Sequence, residues 1–132
     1  MRNNKPFIRM PSGICCKISP NGDKHWFLND EFGEMHREDG PAIERVNGDK
    51  MWFLNGEIHR EDGPAIDYAH GTKEWFLKGE RHREDGPAIE RANGAKEWWL
   101  NDKEATAIEV FKQANDEQRK HMLCFYASEF ST

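Results

Sequence analysis

Three identical charged segments hold the residue types in this chain that could do chemistry. The sequence His-Arg-Glu-Asp-Gly-Pro-Ala-Ile occurs unchanged at 36–43, 59–66 and 82–89. A histidine beside a carboxylate can act as a general acid and base, and the same groups can ligate a metal ion. The segments therefore raise three hypotheses: a catalytic site of a metal-dependent hydrolase, a repeated anion or metal site, and a structural element.

Spacing and alternation favour the structural hypothesis. Each copy starts 23 residues after the previous one, so in a sheet the copies form a ridge with about 10 Å between equivalent residues, rather than one enclosed site. Alternation also places His59 and Glu61 on the face opposite Arg60 and Asp62, which divides each tetrad. We expect arginines to pair with carboxylates of the next unit, and histidines to satisfy buried backbone carbonyls. The predicted structural positions, tryptophans included, are His36, Arg37, Asp39, Trp52, His59, Arg60, Asp62, Trp75, His82, Arg83, Asp85 and Trp98.

A second repeated pattern, Lys-x-Trp-aromatic-Leu, occurs at 24–28, 50–54, 73–77 and 96–100. Alternation points Trp and Leu of each triplet to one face and the middle aromatic residue to the other. The tryptophans are predicted to form a ladder that buries apolar area. The alternative is a stacking platform for a nucleotide or another small molecule.

Turn signals between these patterns predict hairpins. Asn-Gly pairs at 47–48, 55–56 and 93–94 are typical of tight β-turns, and Asp-Gly-Pro marks a bend. The fold class is therefore mainly β: a repetitive antiparallel β-hairpin meander in a single layer over 13–104, with a degenerate first unit. A basic arm or a first irregular strand is predicted at 1–12, and a C-terminal helical cap at 105–132.

The helical cap is predicted from a change of period after Leu100. Thr106 or Asp102 can cap a first helix, and Asn115-Asp116 a second. The two apolar stripes are Ala107, Ile108, Val110, Phe111 and Ala114, followed by Met122, Leu123, Phe125, Tyr126 and Phe130. A repeat sheet needs a cover at its end, so we expect these helices to fold back over the last hairpin or one sheet face.

Composition restricts the partners. The formal charge of −5 and the pI near 5.7 argue against a general nucleic-acid binder. No apolar run has membrane-spanning length, and the N-terminus lacks the apolar stretch of a signal peptide. Three cysteines without framework spacing are typical of free thiols in a reducing compartment. We therefore predict a cytoplasmic protein with no membrane association, no cofactor and no metal.

Serial Asn-Gly-x-x-His and Gly-Pro units linked to an aromatic strand resemble MORN-type repeats (membrane occupation and recognition nexus). The form with a His-Arg-Glu-Asp-Gly-Pro-Ala core is found in bacteriophage, bacterial and large-virus proteins, and the resemblance covers about 13–104. It implies an extended sheet of β-hairpins that serves as a scaffold or binding surface, without a catalytic motif. A phage-encoded protein would lie in the host cytoplasm.

The functional prediction is a non-enzymatic phage or mobile-element accessory protein that binds and modulates or inhibits a host protein, for example a defence protein. The alternatives are nucleotide sequestration and a metal-dependent hydrolase; homo-oligomers through a sheet edge or the C-terminal helices are a further possibility. Positions that differ between copies, the insert at 29–35 and the C-terminal helices are the predicted binding sites. These residues are Asp30, Glu31, Phe32, Met35, Met51, Ile58, Glu74, Arg81, Glu97, Phe111, Phe125 and Tyr126.

Overall fold

The computed structural model describes residues 7–9, 13–29 and 33–130. It confirms a mainly β chain with a long antiparallel sheet and C-terminal helices. The strands are β1 Phe7–Arg9, β2 Ile14–Ile18, β3 Lys24–Leu28, β4 Ile43–Glu44, β5 Lys50–Met51, β6 Phe53–Leu54, β7 Glu57–Ile58, β8 Ile66–Asp67, β9 Lys73–Glu74, β10 Phe76–Leu77, β11 Glu80–Arg81, β12 Ile89–Glu90, β13 Lys96–Leu100 and β14 Lys103–Ala105. The helices are α1 Ala107–Gln113, α2 Asp116–Phe125 and a 3₁₀ turn, Ala127–Phe130.

Each repeat adds two strands to the main sheet, whose order is β1-β2-β3-β4-β5-β8-β9-β12-β13-β14. The aromatic segment is interrupted at Trp52 and again at Trp75, so β6–β7 and β10–β11 form separate two-stranded hairpins. At Trp52 the backbone N–H donates to Ala65 and the carbonyl accepts from His59. A row of small hairpins therefore runs beside the main sheet, which the sequence pattern did not predict.

The two kinds of hairpin use different turns. Asn55 and Gly56 have φ values of 50° and 83°, which is the left-handed pair of a two-residue type I′ turn. At the other end, the Gly48 N–H donates to the Arg45 carbonyl, and Gly48 has a φ of 101°. That turn is a type I turn followed by a glycine bulge, so the shared Asn-Gly letters correspond to two geometries.

Side chains at one turn position connect neighbouring repeats. Asp49 Oδ1 accepts from the backbone N–H of Ala69 at 2.8 Å, and Asp23 makes the equivalent 2.8 Å bond to Val46. These backbone bonds are the main reason that the pKa of each carboxyl lies below its usual value. In the next unit Thr72 fills the same role without charge. The bonds fix the stacking of one repeat on the next.

The core is thin and is built from the Ala-Ile end of each repeated segment. Ala42, Ala65 and Ala88 have no exposed surface, and the isoleucines that follow them are buried. One cluster joins Ala65 and Ile66 to Phe76, with Met51, Ile58 and Tyr68 packed around it. The small alanines explain how a chain with few apolar residues closes its core, because backbones can approach closely there.

The C-terminal helices cover the last hairpin. Thr106 and Asn115 begin α1 and α2, each as part of a reciprocal capping box. Val110 and Met122 are fully buried against Trp98. Within the predicted stripes, however, three members are at least half exposed because they lie on the outer side of the helices: Ile108, Leu123 and Phe125. In the described part of the chain, no helix is long and apolar enough to cross a membrane.

Candidate functional site

Each arginine of the repeated segment lies between an indole ring and a glycine. The Arg83 Cζ lies 3.8 Å from the centre of the Trp75 ring, and a Cβ placed on Gly86 would lie 2.7 Å from the same Cζ. The glycine is therefore needed for close approach, because any larger residue would displace the guanidinium. Arg37 on Trp26 and Arg60 on Trp52 repeat the stacking at 3.9 Å.

The guanidinium groups are also held by hydrogen bonds within their own repeat. Arg83 Nε donates to Asp85 at 2.8 Å, and Nη1 donates to the Pro87 carbonyl at 3.1 Å and to Glu90 at 2.8 Å. The expected pairing of arginine with the next unit is therefore wrong: the partners lie two, four and seven residues along the same unit. Burial acts to lower the pKa of Arg83, but Tyr126 and Asp85 outweigh it and the net pKa is raised.

The histidines use both ring nitrogens inside the fold. His82 Nδ1 accepts from the backbone N–H of Asn101 at 2.9 Å, so Nδ1 carries no proton. The proton is therefore on Nε2, which donates to Glu84 at 3.0 Å. His36 and His59 make the equivalent pairs of bonds. The histidines were expected to donate to buried carbonyls, but each Nδ1 instead accepts from a backbone N–H. That N–H belongs to the first central residue of a tight turn, which has φ near +50°, so the bond fixes the turn.

The carboxylates of the tetrads lie outward. The side chains of Glu61 and Asp62 are 81% and 89% exposed, whereas those of His59 and Arg60 are 10% and 25% exposed. The third tetrad is more covered, and hydrogen bonds from His82 and then Gln118 lower the pKa of Glu84. The predicted placement of His and Glu on the face opposite Arg and Asp is wrong: all four side chains of 59–62 line one surface groove. The segment is not a strand, so strand alternation does not apply to it. The bonds still pair His with Glu and Arg with Asp.

Successive tetrads form the walls of two neighbouring grooves. The first groove has a volume of about 600 Å³, with Trp52 and Leu54 between tetrad 36–39 and tetrad 59–62. The second has a volume of about 1080 Å³, with Trp75 and Leu77 between tetrads 59–62 and 82–85. The first is lined by four carboxylates and two guanidinium groups, so its charge is acidic. We call these surfaces the groove face.

The C-terminal helices close one end of the groove face. Gln113, Gln118 and His121 line the larger groove, and Gln118 Nε2 donates to Glu84 at 3.0 Å. Tyr126 donates to Glu90 at 2.7 Å, the same carboxylate that pairs with Arg83. The helices therefore hold the third tetrad in place, and they cover its arginine more fully than the first two.

The tetrad imidazoles offer little for acid–base chemistry. Because both nitrogens of each tetrad imidazole are engaged, none is free to take a proton from a bound molecule. Among residues 7–9, 13–29 and 33–130, no group of three or more His, Cys, Asp or Glu side chains is placed to hold a metal ion.

The residues predicted to bind from their variation lie elsewhere. Asp30, Glu31 and Phe32 are outside the described residues. Met51 and Ile58 pack on the Ile66–Phe76 cluster. Met35 forms a backbone bridge with Phe27, Glu74 lies 3.7 Å from Arg81, and Glu97 forms an ion pair with Arg91. Three predicted residues lie in the C-terminal helical segment. Phe111 and Tyr126 contact the Trp98 cluster, whereas Phe125 is 70% exposed. None of these described residues lines either groove.

Sequence reasoning missed the leucines and glutamates of the groove face as binding residues. Leu54, Leu77 and Leu100 end the repeated aromatic segments, yet they are half-buried between charged walls. The usable signal was the alternation that puts Trp and Leu of each aromatic segment on one face. It gave the face but did not show that the charged walls enclose a groove.

Comparison of the chain with protein-family models, curated proteins and solved structures gives no match. The resemblance to MORN-type repeats therefore remains a prediction based on the repeated residues.

Proposed function

We propose that this protein is a non-enzymatic binding protein that engages another protein through its groove face. The observation that carries the proposal is the division of each tetrad. The His and Arg side chains make hydrogen bonds within the fold. The Glu and Asp carboxylates face outward at the walls of two grooves, with Trp and Leu at the base. A repeated surface with apolar floors and charged walls provides both the burial and the specificity that protein partners use.

The partner is a host protein that the bound chain modulates or inhibits, in the setting of a phage or mobile element. This part of the proposal rests on the resemblance of the repeated segment to repeats found in phage proteins. The hydrogen bonds that hold the tetrads within the fold support it physically, since a pre-ordered surface loses little conformational entropy on binding.

Nucleotide sequestration has weaker support. A stacking platform needs a free ring face, and one face of Trp26, Trp52 and Trp75 is already covered by an arginine at 3.8–3.9 Å. Trp98 is instead enclosed by Tyr126 and Phe130.

Site-specific photo-crosslinking tests the proposal. A benzoylphenylalanine placed at Glu80, which is exposed and lines the larger groove, should give one adduct of defined mass in lysate of the cells that make the protein. The control is the same residue at Val46, which is 65% exposed and lines neither groove. Absence of the adduct from folded protein, or equal adducts from both positions, would refute the proposal.

A further inference from the structure

The spacing of the two grooves defines the shape of a ligand. Each repeat contributes two strands to the main sheet, and neighbouring strands lie about 4.8 Å apart, so equivalent groove positions recur at about 10 Å. The polyproline II helix has three residues per turn and a rise of about 3.1 Å, so it presents the same face every 9 Å or so. A straight segment in this conformation can therefore place successive turns in successive grooves.

Charge and surface chemistry define its residues. Glu38 and Glu61 are 80% and 81% exposed, and Glu84, at 46%, follows in the next wall. Between these walls lie the tryptophans and leucines of the floors. Cationic side chains complement the carboxylates, and proline rings pack well on aromatic floors.

We propose that the groove face binds a basic, proline-rich segment of its partner, in polyproline II conformation, with Lys or Arg at every third residue. The segment runs across the strands, along the direction in which the repeats stack. Each cation lies beside the carboxylates of one wall, and the intervening prolines occupy the grooves. An α-helix lying within a single groove fits less well, because its diameter of 10–12 Å equals the whole repeat and leaves it resting on the walls. The inference rests on the proposed function and names the partner chemistry of the same face.

Fluorescein-labelled peptides test the register. The first peptide is Lys-Pro-Pro repeated three times; the second has the same composition and the same outer lysines, with the middle lysine moved by one place. In a threefold helix that move turns the middle cation by about 120°. We expect the periodic peptide to bind at least about tenfold more tightly by fluorescence anisotropy, a difference of about 1.4 kcal/mol. Equal affinity of the two peptides, or no binding of either, would overturn the inference.

Variants with equal charge changes test the location. The triple variant E38Q/E61Q/E84Q should weaken the periodic peptide by about tenfold or more, because each wall loses a charge. The matched control E57Q/E104Q/E117Q changes three exposed glutamates outside both grooves and should weaken it less than about twofold. Equal losses would mean diffuse attraction to an acidic protein and would overturn the inference.

A single substitution tests the same face with less risk of a folding defect than the triple variant. Glu61 lines both grooves and is a surface residue, so E61Q should keep the circular dichroism spectrum and still lose several-fold in affinity for the periodic peptide. An unchanged affinity would contradict the groove face as the site that binds the peptide. A photo-crosslinked partner at Glu80 combined with peptides that do not bind would retain the proposed function and eliminate only the basic, proline-rich ligand.

Discussion

The three repeated arginines differ in their hydrogen-bond partners. A lysine substitution at each should therefore lower the free energy of unfolding by different amounts. Arg83 is 8% exposed and donates to two carboxylates and one carbonyl, whereas Arg60 is 25% exposed and lacks the second carboxylate. The reason is that Asp67 stands where the third repeat has Glu90, and Asp67 pairs with Lys73 instead. Lysine keeps the charge but loses the planar fork that serves several acceptors together.

The expected losses follow from these contacts. Hydrogen bonds to charged groups contribute about 1.5–3 kcal/mol each, and a lysine at Arg83 can keep only one of the three while losing the stacking on Trp75. We expect R83K to lower the free energy of unfolding by about 3 kcal/mol. For R60K we expect about 1–2 kcal/mol: the exposed carboxylate pair contributes little, so the loss comes from the Pro64 carbonyl bond and the stacking on Trp52. R37K should lie between them.

Urea unfolding followed by circular dichroism measures these differences, with the slope against urea checked for constancy. A double-mutant cycle of R83K with E90Q isolates the pair that Arg60 lacks. If R83K and R60K cost the same, or if R83K costs less than about 1 kcal/mol, burial and the second carboxylate are not what distinguishes the repeats. The reasoning about the guanidinium fork would then be wrong.

Three further outcomes are expected from the same unfolding assay. H82A should cost about 2 kcal/mol, because the backbone N–H of Asn101 loses its acceptor. Because folding lowers the pKa of Asp23 and Asp49, their contribution is present above the ordinary value of 3.8 and is lost as the pH falls through the lowered one. The variant D23N/D49N should therefore show a shallower loss of stability below pH 4 or so. W98A should cost about 3–5 kcal/mol, because Trp98 joins the last hairpin to the helices.

Sequence periodicity predicted the architecture because its signals are local. The capping residues Thr106 and Asn115 and the Asn-Gly turns each depend on a few neighbouring positions. These features follow from backbone geometry and need no knowledge of distant contacts.

The interruption of the aromatic strand at Trp52 could not be predicted in this way. Its backbone bonds to Ala65 on one side and His59 on the other, and that choice depends on which segments become neighbours in space. The same limit explains Phe125, which has the right spacing for a buried stripe but lies 70% exposed on the outer side of its helix. Composition and spacing specify a face, while burial depends on what covers that face.

The repeated segments are identical at two kinds of position: those that the fold requires and those that it does not. Arg83 fits only against a glycine and a tryptophan, and His82 fixes a turn through a backbone amide, so the fold itself requires these residue types. Glu61 is different: its side chain is 81% exposed, and it accepts a hydrogen bond from His59. Such a surface pair contributes about 0–1 kcal/mol, which is too little to require the same residue in every copy. We therefore attribute the repeated carboxylate at the wall of each groove to the proposed binding role of the groove face.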